Sequence, residues 1–187
     1  MNKNRETIFA LATPAGRSAI AIVRLSGPHA FDCIRKISLN MPKKQNTTTL
    51  NKITSRDGTL LDQTITTTYK SPKSYTGEDM VEISIHGGAA VINKLIETLN
   101  SFKNLRIAEP GEFTRRAFEN NKLDVTQVEA ISDLVNSETE AQRKQSLNQL
   151  SGMFSSKIKN WSDRILKILS NIEASIDFSD EDLPKNL

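Results

Sequence analysis

The chain has 187 residues, enough for one full domain and part of a second at about 150 residues per domain, and too few for a large multidomain machine. A 37% hydrophobic and 25% charged composition can build a core and excludes a disordered chain, while a net charge of +3 is too weak by itself to argue for nucleic acid. A single cysteine, Cys33, with only His29 and His86 beside it, excludes an internal disulfide and a conventional Cys/His metal cluster, and fits a reducing compartment. No run reaches the roughly 18 apolar residues of a membrane span, and Met1–Glu6 leads directly into a strand-like segment instead of a signal core. A cytoplasmic protein is expected.

Thr7 to Ala12 and Ala19 to Leu25 are short apolar runs separated by the turn signal Thr13-Pro14-Ala15-Gly16, so both read as strands. After Pro28, which suits a first helical turn, Ala30, Cys33, Ile34 and Ile37 recur at helical spacing. Met41 to Thr49 is polar and reads as a loop. Asp57-Gly58 between Leu50–Thr54 and Leu60–Tyr69 predicts a hairpin with positive φ at its turn. Val81, Ile83 and Ile85 alternate with Glu82, Ser84 and His86, a half-buried strand ended by Gly87-Gly88. The apolar stripe from Ala89 to Phe102 predicts a helix, a short strand follows over Leu105–Ala108, and Pro110-Gly111 opens another helix.

Charge and composition shift together between Asn121 and Lys122. The first part carries 17 basic and 11 acidic residues with seven of the eight glycines, and the second 8 basic and 11 acidic. Two domains are therefore expected, residues 1–121 and 122–187, the second made of long helices. One helix is predicted from Val125 to about Leu150. Another carries Phe154, Ile158, Trp161, Ile165, Ile168, Ile172 and Ile176 at intervals of 4, 3, 4, 3, 4 and 4, close to a heptad seam. That pair is half a bundle, so the seam should be incompletely covered.

Arg24 lies in the apolar run Ala19–Leu25, where a covered strand would bury its guanidinium unless it met a carboxylate, a phosphate or a planar polar ligand; the alternative is a strand-end arginine reaching solvent or closing an internal salt bridge. Glu82 can accept two parallel N–H bonds from a guanidine-like amide edge, or sit on a solvated outer face of an edge sheet. His86 reads better as a satisfied strand-end histidine than as a catalytic group. In Pro110–Phe118, Phe113 and Phe118 would anchor a helix that leaves Arg115-Arg116 available for phosphate, or merely solvated. Lys122, at the domain junction, is a surface lysine or a ligand contact.

The runs Ala12–Arg17, Ile22–Gly27, Ser74–Asp79, His86–Gly88, Pro110–Phe118, Lys122–Asp124 and Ala174–Phe178 occur together and in order. With them the chain resembles, from Thr7 to about Glu181, the N-terminal part of the MnmE (TrmE) family of tRNA uridine-modification GTPases. The resemblance implies an α+β chain. Residues 1–121 would form a tetrahydrofolate-binding α/β domain with a mixed sheet like that of the glycine-cleavage aminomethyltransferases, and would pair with a second copy as a homodimer. Residues 122–187 would begin an all-α domain whose GTPase insertion and closing helices lie beyond Leu187, so that the chain reads as a fragment.

The family positions that contact the folate match Arg24, Glu82 and Lys122; Glu82 would take the pterin amide edge and Arg24 an adjacent polar group. A further ligand belongs to a C-terminal Cys-x-Gly-Lys motif that this chain lacks. The implied activity transfers a one-carbon unit from a 5-formyl- or 5,10-methylene-tetrahydrofolate toward carbon 5 of the wobble uridine of tRNA. The FAD protein MnmG acts with it, glycine or ammonium completes the group, and GTP with Mg²⁺ and K⁺ serves the GTPase domain. No general acid, general base or metal site is implied here. Two alternatives stand: a folate-dependent aminomethyltransferase of another pathway, which would not need the helical continuation, and a non-enzymatic helical or tRNA-binding adaptor, which leaves Arg24 unexplained.

The chain has no G-x-x-x-x-G-K-[ST] phosphate loop. Equilibrium dialysis with GTP is expected to show no saturable binding, and saturable binding would overturn this domain reading.

Overall fold

The computed structural model describes residues 6–40 and 46–177. Residues 1–5, the first part of the expected Met41–Thr49 loop and Phe178–Glu181 at the end of the resemblance lie outside that range. The chain divides into two compact units, 1–122 and 123–187.

The first unit runs β1 (Thr7–Leu11), β2 (Ser18–Ser26), α1 (Ala30–Ile37), β3 (Thr48–Thr54), β4 (Leu60–Tyr69), β5 (Met80–Gly87), α2 (Ala89–Asn100), β6 (Leu105–Ile107) and α3 (Glu112–Glu119). Its strands form one mixed six-stranded sheet in the order β3-β4-β5-β2-β1-β6, antiparallel except for the β1/β6 pair. Strand alternation divides the residues between two faces. Val23 and Leu25 of β2 and Val81, Ile83 and Ile85 of β5 point to one side, where they pack with Ala30, Ile34 and Ile37 of α1 and Leu95 and Leu99 of α2. Arg24 and Glu82 therefore point to the other. β5 lies inside the sheet and not at its edge, so Glu82 does not sit on a solvated edge strand. Cys33 is packed in the core, where burial pushes its thiol up to about 12 and keeps it protonated.

Gly87 shows how closely the backbones approach. A Cβ there would lie 2.5 Å from the Ser18 carbonyl oxygen, so the freedom at the Gly87-Gly88 break serves the β2/β5 pairing.

On the second face, α3 is held by charge. Phe118 is exposed, whereas Glu112 and Arg116 are each 2% exposed and face inward, together with Ala117. Arg106 of β6 clamps Glu112 with two parallel bonds of 2.8 and 2.7 Å, Arg116 Nη2 donates to Glu112 Oε1 at 3.0 Å, and the Glu109 amide donates to Oε2 at 2.9 Å. Arg116 Nη1 reaches the Glu6 carbonyl and Glu78 Oε2, both at 3.0 Å. Ser26 of β2 donates to the same Glu78 oxygen at 2.7 Å. Arg116 is thus spent on internal carboxylates and is not available for phosphate, which corrects the expectation from sequence. A pair of adjacent arginines on a short helix gives no sign of which one turns inward.

The second unit contains α4 (Val125–Val135), α5 (Glu140–Leu150) and α6 (Met153–Asp177). The single helix expected over Val125–Leu150 is broken between Asn136 and Thr139. Thr139 starts α5 with a capping box: its hydroxyl accepts from the Gln142 amide at 3.2 Å, and Gln142 Oε1 accepts from the Thr139 amide at 2.9 Å. Asp124 and Gln127 cap α4 in the same way. α6 is one helix of 25 residues with no buried residue, and Trp161 on its apolar seam is 56% exposed. The incomplete cover expected from the heptad seam is present within this unit.

The guanidinium clamp holds the Glu112 carboxyl at about 2, below its ordinary 4.5. A depressed folded-state value adds stability that is full above pH 4.5 and disappears as the pH falls toward 2, about 3 kcal/mol in all. Urea titrations across this range should show a steep acid limb for the parent chain. A shallower limb and a lower midpoint at pH 7 are expected for Glu112→Gln.

Candidate ligand-binding site

Arg24 and Glu82 are direct cross-strand partners of β2 and β5. Arg24 Nε donates to Glu82 Oε1 at 2.8 Å and Nη2 approaches the same oxygen at 2.7 Å. Tyr69, at the end of β4, donates its hydroxyl to Glu82 Oε2 at 3.1 Å. Burial first, and the Glu82 charge second, push the Tyr69 phenol up from its ordinary value, so it stays a protonated donor. The Arg24 guanidinium lies 5.1 Å from the Tyr75 ring centroid and 5.5 Å from that of Phe113, an aromatic shelf supplied by the 70–79 loop and by α3. Tyr75 and Thr114 join their hydroxyls at 2.9 Å, which ties the loop to the helix.

The pair remains within reach of solvent, with side-chain exposures of 24% for Arg24 and 18% for Glu82. A carboxylate has about four acceptor positions. Arg24 takes two on Oε1 and Tyr69 one on Oε2, which leaves one on Oε2. The arrangement offers an incoming planar group a carboxylate acceptor beside a stacked cation.

Lys122 follows α3 and donates its ammonium to the Pro72 carbonyl oxygen at 3.1 Å, in the loop that also carries Tyr75. Gly77, at φ +78, makes room for it: a Cβ there would come within 3.3 Å of Lys122 Cγ. The structure thus joins Arg24 and Glu82 directly and brings Lys122 to the same loop by another contact. His86 lies at the strand end, 71% exposed, with Nδ1 2.8 Å from Asp62 Oδ1. Tyr69 and Tyr75 were not singled out from sequence, because the partner of Glu82 depends on the β4/β5 register and Tyr75 on the path of a loop.

Two family models divide the chain. "GTP-binding protein TrmE N-terminus" matches residues 7–122, and "MnmE helical domain" matches residues 125–187. The chain belongs to the MnmE (TrmE) family. Among curated MnmE relatives, those named tRNA modification GTPase MnmE from Dinoroseobacter shibae, Rhodopseudomonas palustris strain CGA009 and Caulobacter vibrioides are 43%, 46% and 44% identical to it. Each alignment covers 97% of this chain and 42%, 41% and 40% of the relative. The chain therefore spans about two fifths of the length of the MnmE relatives it matches. Because the second unit has its own MnmE match, an aminomethyltransferase of another pathway does not account for the whole chain. Among the described residues, no helix is long and apolar enough to cross a membrane.

The Tyr69 hydroxyl is expected to add about 1 kcal/mol through its bond to Glu82. Urea denaturation of Tyr69→Phe should show that loss with the m-value unchanged. Equal stability would mean that the 3.1 Å contact is not made in solution.

Proposed function

We propose that the first unit, residues 1–121 with Lys122 at its edge, binds a reduced folate at Arg24, Glu82 and Lys122, and that the chain is the folate-binding N-terminal part of a tRNA modification GTPase. The observation that carries this reading is the half-buried Arg24–Glu82 pair on its aromatic shelf. The donor set suits a pterin: Glu82 offers acceptor oxygens to an amino-amide edge, Tyr69 and Arg24 hold that carboxylate, and Arg24 presents N–H groups to an adjacent polar substituent. Two parallel bonds to both Glu82 oxygens require Arg24 to release at least one of its contacts with Oε1. Lys122 adds a point charge near the loop.

Bound there, a 5-formyl- or 5,10-methylene-tetrahydrofolate would supply a one-carbon unit for carbon 5 of the wobble uridine of tRNA. The chain's own residues bind and orient the folate, and none near the pair acts as an obvious acid or base. In the longer protein, GTP hydrolysis with Mg²⁺ and K⁺, the partner MnmG with its FAD, and glycine or ammonium complete the activity, in the cytoplasm. A homodimer through the first unit draws support from Leu50 and Ile65, which face each other across β3 and β4 and are both exposed on the sheet face that also carries Glu82. The exposed seam of α6 supports a second unit, residues 123–187, that is completed by further helices.

Calorimetric titration with 5-formyltetrahydrofolate tests the site. Arg24→Ala and Glu82→Ala should each weaken binding by roughly tenfold to a hundredfold while leaving the fold intact, since a charge-assisted contact is worth about 1.5–3 kcal/mol. Lys122→Ala should cost less. Equal affinities for all four chains would make Arg24 and Glu82 an ordinary structural ion pair.

A further inference from the structure

On the helix-covered side of the first unit, across the sheet from Arg24 and Glu82, a cavity of about 460 Å³ opens between α1, the β3–β4 turn and the turn from α2 to β6. Three cations line it, one from each segment: Lys36, Arg56 and Lys103. Phe102 gathers two of them, with Lys36 Nζ 5.9 Å and the Arg56 guanidinium carbon 5.2 Å from its ring centroid. Asp32, the only carboxylate in the lining among the described residues, is held by Arg35 at 2.6 Å. Arg56 donates one N–H to the Ser101 carbonyl oxygen at 3.1 Å, which leaves most of its five donors for something else. Cys33 also borders the cavity, but its raised pKa keeps it from serving as a nucleophile.

Like charges gathered in one concavity repel each other, and an anion placed among them removes that cost. A small molecule enclosed for its apolar surface is a poor fit, because the Phe102 ring already carries cations and the rest of the lining, His29 included, is mostly polar or charged. The excess of basic residues in the first part of the chain favours a polyanion over a single ion.

We propose that this cavity is an RNA contact, in which Lys36, Arg56 and Lys103 hold backbone phosphates of an RNA strand. The inference rests on the reading that the substrate is tRNA and is independent of the folate site. Phosphate contacts of this kind set register and affinity, not base choice. The strand would lie on the face of the sheet opposite the folate, so the two ligands do not compete for side chains.

The test is fluorescence anisotropy of an end-labelled, unmodified tRNA transcript titrated with the chain at several salt concentrations. Lys36→Gln/Lys103→Gln should weaken binding about tenfold or more and lower the slope of log K against log salt by about one to two, the loss of two phosphate contacts. Arg17→Gln/Lys52→Gln, an equal change of charge at exposed positions outside the cavity, should weaken it less than about threefold. Circular dichroism melts confirm that both double variants fold. Inorganic phosphate and uridine 5′-monophosphate serve as competitors, and neither should displace the transcript at micromolar concentration. Equal losses in the two double variants, no binding by the parent chain, or displacement by either small phosphate would overturn the proposal. Retained folate binding in the cavity variant separates its failure from failure of the folate reading.

Discussion

A guanidinium removed from water calls for acceptors at its N–H groups, and Arg116 imposes that demand on the first unit, where both terminal nitrogens find acceptors and the buried Nε does not. The acceptors come from segments far apart in the chain: the Glu6 carbonyl ahead of β1, Glu78 in the approach to β5, and Glu112 one turn earlier on α3. Arg106 supplies a second guanidinium to Glu112, so this carboxylate is not left facing Arg116 alone. Such a network costs desolvation and adds less net stability than its number of bonds suggests. Its effect is positional.

The candidate site inherits that order. α3 carries Phe113 beneath Arg24 and Thr114 against the Tyr75 hydroxyl, so the aromatic shelf is as well placed as the helix is. The 70–79 loop is held at several points: Glu78 by Arg116, the Thr76 carbonyl by Asn120 at 2.6 Å, and Asp79 by Lys70 at 2.7 Å. A binding residue on a loop is usually the less precise kind. Here the loop is fastened to a sheet and a helix, and Tyr75 shares the rigidity of both.

Much of the first unit could be read from residue patterns because its signals are local. Pro28 ahead of the α1 stripe, Asp57-Gly58 between two strands, and the alternation of Val81, Ile83 and Ile85 with Glu82 and Ser84 each state their structure within a few residues. Arg24 stood out for a similar reason, being a charge inside an apolar run. What escaped was relational. Whether Arg115 or Arg116 turns inward depends on Glu6 and Glu78, residues about 110 and 38 positions away. The break between α4 and α5 was written in Thr139 and Gln142, a capping box overlooked because the helical pattern to either side looked continuous. The approach of Lys122 to Pro72 had no local sign at all.

α6 has the length of a long bundle helix, 25 residues, yet buries none of them within its own unit. Ser155 ties its first turn to Thr126 and Asp124, and the turns beyond rest mostly on intrinsic propensity, because most helical stability in proteins comes from a packed apolar face. Its amide protons should therefore exchange by local opening, well ahead of those in the sheet, whose release waits on cooperative unfolding. Slowed exchange confined to α6 would then register the arrival of whatever covers the seam, whether further helices or a second molecule, without any change in the stability of the first unit.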